Sequence, residues 1–141
     1  MLVTIAAERT LRRLRALCLA LPETTETGSW GHPNFRAGRR TFVAFERVDG
    51  RPSIAFRLDS TDVDRLLQRK EFFTTPYGRG QWVSLRADGA IDWKAVHALV
   101  DRSYRIVALA RMLKSLETGA ATNRRAGEST PRSRRTRRRI T

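Results

Sequence analysis

From Arg39 to Leu58 the chain alternates on either side of Asp49-Gly50, and this pattern limits the possible folds more than any other feature of the sequence. A period of two suits an extended strand, whose side chains point to opposite faces in turn, and Asp-Gly readily takes the two positive φ angles of a tight hairpin. On this reading Thr41, Val43 and Phe45 lie on one side of the first strand, with Arg40, Phe42, Ala44 and Glu46 on the other. The return strand, Ser53 to Leu58, points Ile54, Phe56 and Leu58 one way and Arg57 the other. Glu23 to Thr27, an edge strand, and Pro33 to Ala37, closed by Gly38, extend the pattern to an antiparallel meander.

Helical spacing flanks this β region. Over residues 5–21, Ile5, Leu11, Leu14, Cys18 and Leu21 alternate with Arg9, Arg12, Arg13 and Arg15, which predicts an amphipathic helix ended by Pro22. Asp59 is placed as the N-cap of a short helix carrying Val63, Leu66 and Leu67, with Asp62 favouring its first turn. Asp92 caps a final, longer helix that holds Trp93, Val96, Leu99, Val100, Tyr104, Val107, Ala108 and Leu113. Between the last two helices, Phe72 to Arg86 passes through Pro76 into the turn Tyr77-Gly78-Arg79-Gly80. It then enters a strand with Val83 and Leu85 on one face and Trp82, Ser84 and Arg86 on the other.

Charge narrows the function. The 28 basic and 14 acidic residues leave a net +14, a balance that favours a polyanionic partner. Residues 118–141 hold eight arginines against Glu128, in a stretch rich in Gly, Ala, Ser and Thr with almost nothing apolar to bury. Such a composition does not offset the entropy of ordering and predicts a disordered basic tail following a domain over 1–117. The longest uncharged run, Thr27 to Phe35, is too short to span a membrane, and arginines interrupt any N-terminal signal sequence, so a soluble, cytoplasmic protein is expected. Cys18, the single cysteine, has no internal disulfide partner and reads as a buried thiol.

Five segments, Gly31-His32-Pro33-Asn34-Phe35, Phe56-Arg57-Leu58-Asp59, Phe72 to Arg86, Ile91-Asp92-Trp93 and Ser103 to Ala108, stand in an order and at spacings by which the chain resembles the MmcQ/YjbR family of small proteins proposed to bind DNA. The resemblance runs from about Leu11 to Leu113. It implies a compact two-layer α+β domain of frataxin-like (CyaY-like) topology, with an antiparallel sheet packed against an N-terminal helix and a long C-terminal helix. It also implies a double-wing nucleic-acid-binding surface, and it brings no catalytic residue set.

The candidate contacts are Arg36, Arg39, Arg40, Arg57, Arg79 and Arg86, because guanidinium groups on strands and turns suit bidentate contacts to phosphate oxygens. The competing reading has them solubilise the outer sheet face and pair with Glu46, Asp49 or Asp88. Trp30, Phe35, Tyr77 and Trp82 are candidate stacking rings weighed against core roles, with Trp82 favoured by its place beside Arg86. His32 finds no sequence partner for general-base or ligand chemistry, and no His/Cys/carboxylate spacing suits a metal. Iron binding by analogy with frataxin fails for want of acidic residues, since the first helix offers Glu8 alone against four arginines.

The sequence therefore predicts a non-catalytic, monomeric protein binding DNA or RNA through Arg36, Arg39, Arg40, Arg57, Arg79, Trp82, Arg86 and the basic tail, with no cofactor, metal or membrane partner. The alternative is a protein-interaction or small-ligand module with an incidental basic surface.

Overall fold

The computed structural model describes residues 2–28 and 31–126. They fall into two compact units, divided between Ala108 and Leu109.

The first unit is built on a six-stranded antiparallel sheet: β1 (Thr24–Thr27), β2 (Asn34–Ala37), β3 (Arg40–Val48), β4 (Arg51–Arg57), β5 (Phe72–Thr74) and β6 (Trp82–Arg86), in the spatial order β1-β2-β3-β4-β6-β5. Asp49 and Gly50 turn β3 into β4 with φ of 54° and 75°, the paired positive angles expected of Asp-Gly, and Arg47 Nη1 donates to the Gly50 carbonyl at 3.1 Å. The short strand β5 is absent from the sequence reading; its three residues pair with β6, Phe72 opposite Leu85.

Helices α1 (Leu2–Leu19) and α3 (Trp93–Val107) pack on one face of the sheet, and α2 (Ser60–Leu66) lies near β6. Asp92 caps α3 by accepting from the Lys94 and Ala95 amides at 3.1 and 3.2 Å. Asp59 occupies the N-cap position of α2, but its side chain makes no cap bond. Asp62, buried, instead accepts from Arg65 at 2.9 Å and from Arg102 of α3 at 2.7 Å, tying the two helices together.

One irregularity decides which residues face where. Between Phe35 and Arg36 the pairing shifts, so that Val43 opposes Phe35 while Thr41 opposes Arg36. Phe42 is the extra residue of this β-bulge. Strict alternation assigned Phe42 to the side of Ala44 and Glu46, and Thr41 to the side of Val43 and Phe45. The bulge reverses both. Phe42 turns to the helices, where its ring meets Tyr104 edge-on at 5.6 Å and 79°, and Thr41 joins Asn34 and Glu46 on the opposite face. The helix-facing side thus gathers Phe35, Phe42, Val43, Ile54, Phe56 and Val83, all fully buried, with Leu14 and Tyr104 from the helices. Each such side chain contributes about 1.5 to 3 kcal/mol through burial. The Tyr104 hydroxyl donates to the Pro22 carbonyl at 2.8 Å, fixing the end of the α1 turn.

Cys18 lies in this core, and burial pushes its thiol above the ordinary range. A maleimide reagent is expected to label Cys18 only as fast as the domain unfolds; rapid labelling under native conditions would contradict its burial.

The sequence predicted one unbroken final helix through Leu113. Instead α3 ends at Val107, Ala108 after it is extended (ψ 146°), and α4 (Ala110–Ala126) lies in the second unit. No glycine or proline marks that break. Residues 118–126, assigned by composition to the tail, continue α4, where Ala, Arg, Leu, Lys and Glu supply helix propensity and Thr118 donates to the Lys114 carbonyl at 3.0 Å. The rest of the predicted disordered tail, 127–141, lies outside the described residues.

Candidate nucleic-acid interface

Antiparallel pairing brings one end of β2, β3, β4 and β6 to the same edge of the sheet. Arg36 sits near the end of β2 opposite Thr41, Arg40 begins β3 opposite Ala37, and Arg57 ends β4 opposite Trp82, the first residue of β6. Arg39 is exposed in the β2–β3 turn, and Arg79 is exposed in the loop leading into Trp82. Five arginines and a tryptophan therefore lie at one end of four adjacent strands, a width of about 14 Å at normal strand spacing. Arg36, Arg57 and Trp82 share the face away from the helices.

Among the described residues none of these five arginines pairs with a carboxylate. The ion pairs are made by others: Arg15 with Glu26, Arg51 with Asp88, Arg65 and Arg102 with Asp62, Arg69 with Glu71, and Arg105 with Asp101. For these five, the pairing with Glu46, Asp49 or Asp88 expected on the competing reading is not met. Arg57 donates to the Leu58 carbonyl at 2.8 Å, which orients its guanidinium along the strand end.

Arg86 is not part of this group. It pairs with Ser53 at the opposite end of the sheet and lies over the Phe73 ring at 4.6 Å. Phe35 is fully buried and is no stacking ring, and Trp30 lies outside the described residues.

The loop before β6 holds three successive residues at positive φ: Gly78 at 89°, Arg79 at 48° and Gly80 at 84°. The glycines take this conformation freely, whereas an arginine there costs about 1 kcal/mol or more. The loop is held by Gln81 N donating to the Gly78 carbonyl at 3.0 Å and by Leu58 N donating to the Gln81 carbonyl at 2.9 Å. Arg79 is thereby presented outward at a fixed place.

Beside the arginine end, on the same face, lies a hollow of about 460 Å³ lined by His32, Asn34, Thr41, Glu46, Tyr77 and Trp82. Glu46 is only 6% exposed. The Tyr77 hydroxyl donates to Glu46 Oε2, and His32 Nε2 lies 3.5 Å from the same oxygen. Burial, and then the bond to Glu46, raise the Tyr77 phenol well above its ordinary value, so it stays a donor. Tyr77 and Trp82 meet at 5.7 Å with planes inclined by 58°. Sequence reasoning missed this constellation. It read Glu46 as an outward strand carboxylate and found no partner for His32, although an acid directly after the apolar run Val43-Ala44-Phe45 in mid-strand was the available signal. No group of three His, Cys, Asp or Glu side chains among the described residues is arranged to hold a metal ion.

The sequence model of the YjbR family matches residues 19–106. The chain belongs to the YjbR family. Solved structures similar to this YjbR-family domain include protein DR2400 of Deinococcus radiodurans, described by the domain name DUF419, at TM-score 0.63 and 19% identity, covering 76% of this chain and 87% of that one. A protein from Pseudomonas syringae is similar at TM-score 0.54 and 13% identity, covering 60% of this chain and 87% of its own. A DUF1801-family protein of Bacillus subtilis is similar at TM-score 0.50 and 15% identity, with 69% and 76% covered. At these identities the likeness concerns the fold. None of the curated proteins compared matches the sequence. No helix among the described residues of this YjbR-family chain is long and apolar enough to cross a membrane.

Proposed function

We propose that this domain is a binding protein for nucleic acid, in the first instance duplex DNA, and that it performs no catalysis. The observation that carries the reading is the group Arg36, Arg39, Arg40, Arg57 and Arg79, gathered at one sheet end with no carboxylate to neutralise it. Uncompensated guanidinium groups gathered at one sheet end suit phosphate oxygens, and two turns, one with Arg39 and one with Arg79, reach outward as wings do. The strained φ of Arg79 supports the same reading, because a left-handed arginine persists only where the surrounding structure over-determines it.

Arg79→Gly tests this with little structural penalty. Glycine accepts the positive φ, so stability should change by no more than about 1 kcal/mol. Duplex binding should weaken, and the slope of log affinity against log salt should fall in magnitude by about 0.9. Anisotropy of a labelled duplex over a salt series reads both quantities; an unchanged slope removes Arg79 from the interface.

A further inference from the structure

We propose that the hollow beside the arginine end is a base-binding site selective for guanine, in a nucleotide whose phosphate rests on the neighbouring arginines. The phosphate half rests on the function proposed above, while the base half stands on the hollow itself. Three buried polar atoms on this face of the sheet lack partners: Glu46 Oε1, Arg36 Nε and Ser53 Oγ, the last on the residue opposite Glu46 in β4. A buried polar group normally has a hydrogen-bond partner, so an orphaned acceptor and an orphaned donor together describe what a ligand would bring. Glu46 requires a donor. Arg36, across the sheet from the hollow-lining Thr41, requires an acceptor, and Arg40 and Arg57 stand at the same end.

The chemistry of the Glu46 wall selects among donors. A carboxylate is acceptor-only, and Tyr77 and His32 engage one of its oxygens, leaving the other buried without a partner. Among the nucleobases, guanine alone carries two adjacent donors, N1–H and the 2-amino group, on its pairing edge. Adenine and cytosine place a ring acceptor beside the amino group, and uracil and thymine flank a single N–H with carbonyls, so each would set a lone pair against Glu46. Trp82 and Tyr77 supply aromatic surface for the ring to stack on. A simple organic cation would also satisfy Glu46, but the adjoining arginines and the net charge of +14 repel it, whereas they attract a phosphate. At about 460 Å³ the hollow lies in the size range of small-ligand sites.

The test uses the full chain and calorimetric titration with GMP, IMP, AMP and guanosine, alongside single-stranded oligonucleotides with and without one guanine. IMP lacks only the 2-amino group. GMP is expected to bind about tenfold to a hundredfold tighter than IMP and AMP, as the loss of a hydrogen bond to a charged acceptor dictates. Glu46→Gln should abolish that preference, and Arg36→Gln should weaken GMP but not guanosine. Because base discrimination is read on the unaltered chain, a poorly folded variant does not obscure it. If free GMP shows the preference and the oligonucleotides do not, the site takes the mononucleotide; the reverse assigns it to an unpaired strand. Equal binding of GMP, IMP and AMP, or no binding of either ligand form at about 1 mM, overturns the proposal. If duplex binding persists in that case the arginine interface still stands, while loss of duplex binding with the GMP preference intact would overturn the interface alone.

Discussion

Phe56→Ala is expected to lower the unfolding free energy by about 3 to 5 kcal/mol, a large share of what a domain of this size possesses. Phe56 sits in the middle of β4, fully buried, paired with Val43 on one side and Val83 on the other. Its ring fills the layer between the sheet and the helices, and neither neighbouring strand can move inward without losing its own ladder. Removal therefore leaves a cavity in addition to the lost transfer energy. Chemical denaturation of the variant beside the unaltered chain reads the difference, and an unchanged midpoint would mean that this face of the sheet does not hold the core.

Gly78→Ala is the second large effect, and it acts through the loop. A Cβ on Gly78 would lie 2.2 Å from Trp82 Cδ1 and 2.8 Å from its Cγ, and the residue sits at a φ of 89° that suits only glycine. The backbone penalty of about 1 to 2 kcal/mol adds to an overpacking cost of about 1 to 3 kcal/mol, giving roughly 2 to 4 kcal/mol in all. The loop would have to lift from Trp82, taking Tyr77 from Glu46 and Arg79 from its fixed position. Weaker duplex binding should accompany the lower melting temperature. A variant with unaltered melting and binding would show that the loop is not pinned against Trp82.

The parts of the fold that were legible in the sequence are those set by local chemistry. Asp49-Gly50 fixes its hairpin by backbone preference alone, Asp92 caps its helix with its own carboxylate, and the alternation of Ile54, Phe56, Val83 and Leu85 gives the buried face directly. The bulge at Phe42 was not legible, because it is a property of the register between β2 and β3 and leaves no mark in either strand. That single extra residue moves Thr41 into the hollow and Phe42 into the core. Strand β5 was hidden by its length, since three residues carry too little pattern to separate a strand from a loop. The break at Ala108 has no turn residue to announce it. For the candidate site, the arginines were found by residue type, but their grouping depends on which strand ends coincide; antiparallel order places Arg57 beside Trp82 and leaves Arg86 at the far end. Glu46 and His32 were missed because a contact between a strand carboxylate and a loop imidazole is set by tertiary structure.

On the function proposed above, position rather than total charge makes the arginine end an interface. Its most direct test compares two triple variants of the full chain that remove the same formal charge. One neutralises Arg39, Arg40 and Arg79; the other neutralises Arg9, Arg12 and Lys70, which are also exposed and outside the ion pairs but lie on α1 and after α2. Duplex affinity is measured for both from low to physiological salt. The first variant is expected to lose about 2.7 from the magnitude of the log-log salt slope, at about 0.9 for each phosphate contact, while the second keeps the slope of the unaltered chain. Equal losses in the two variants would contradict it, and would reduce the arginine end to one part of a diffuse positive surface.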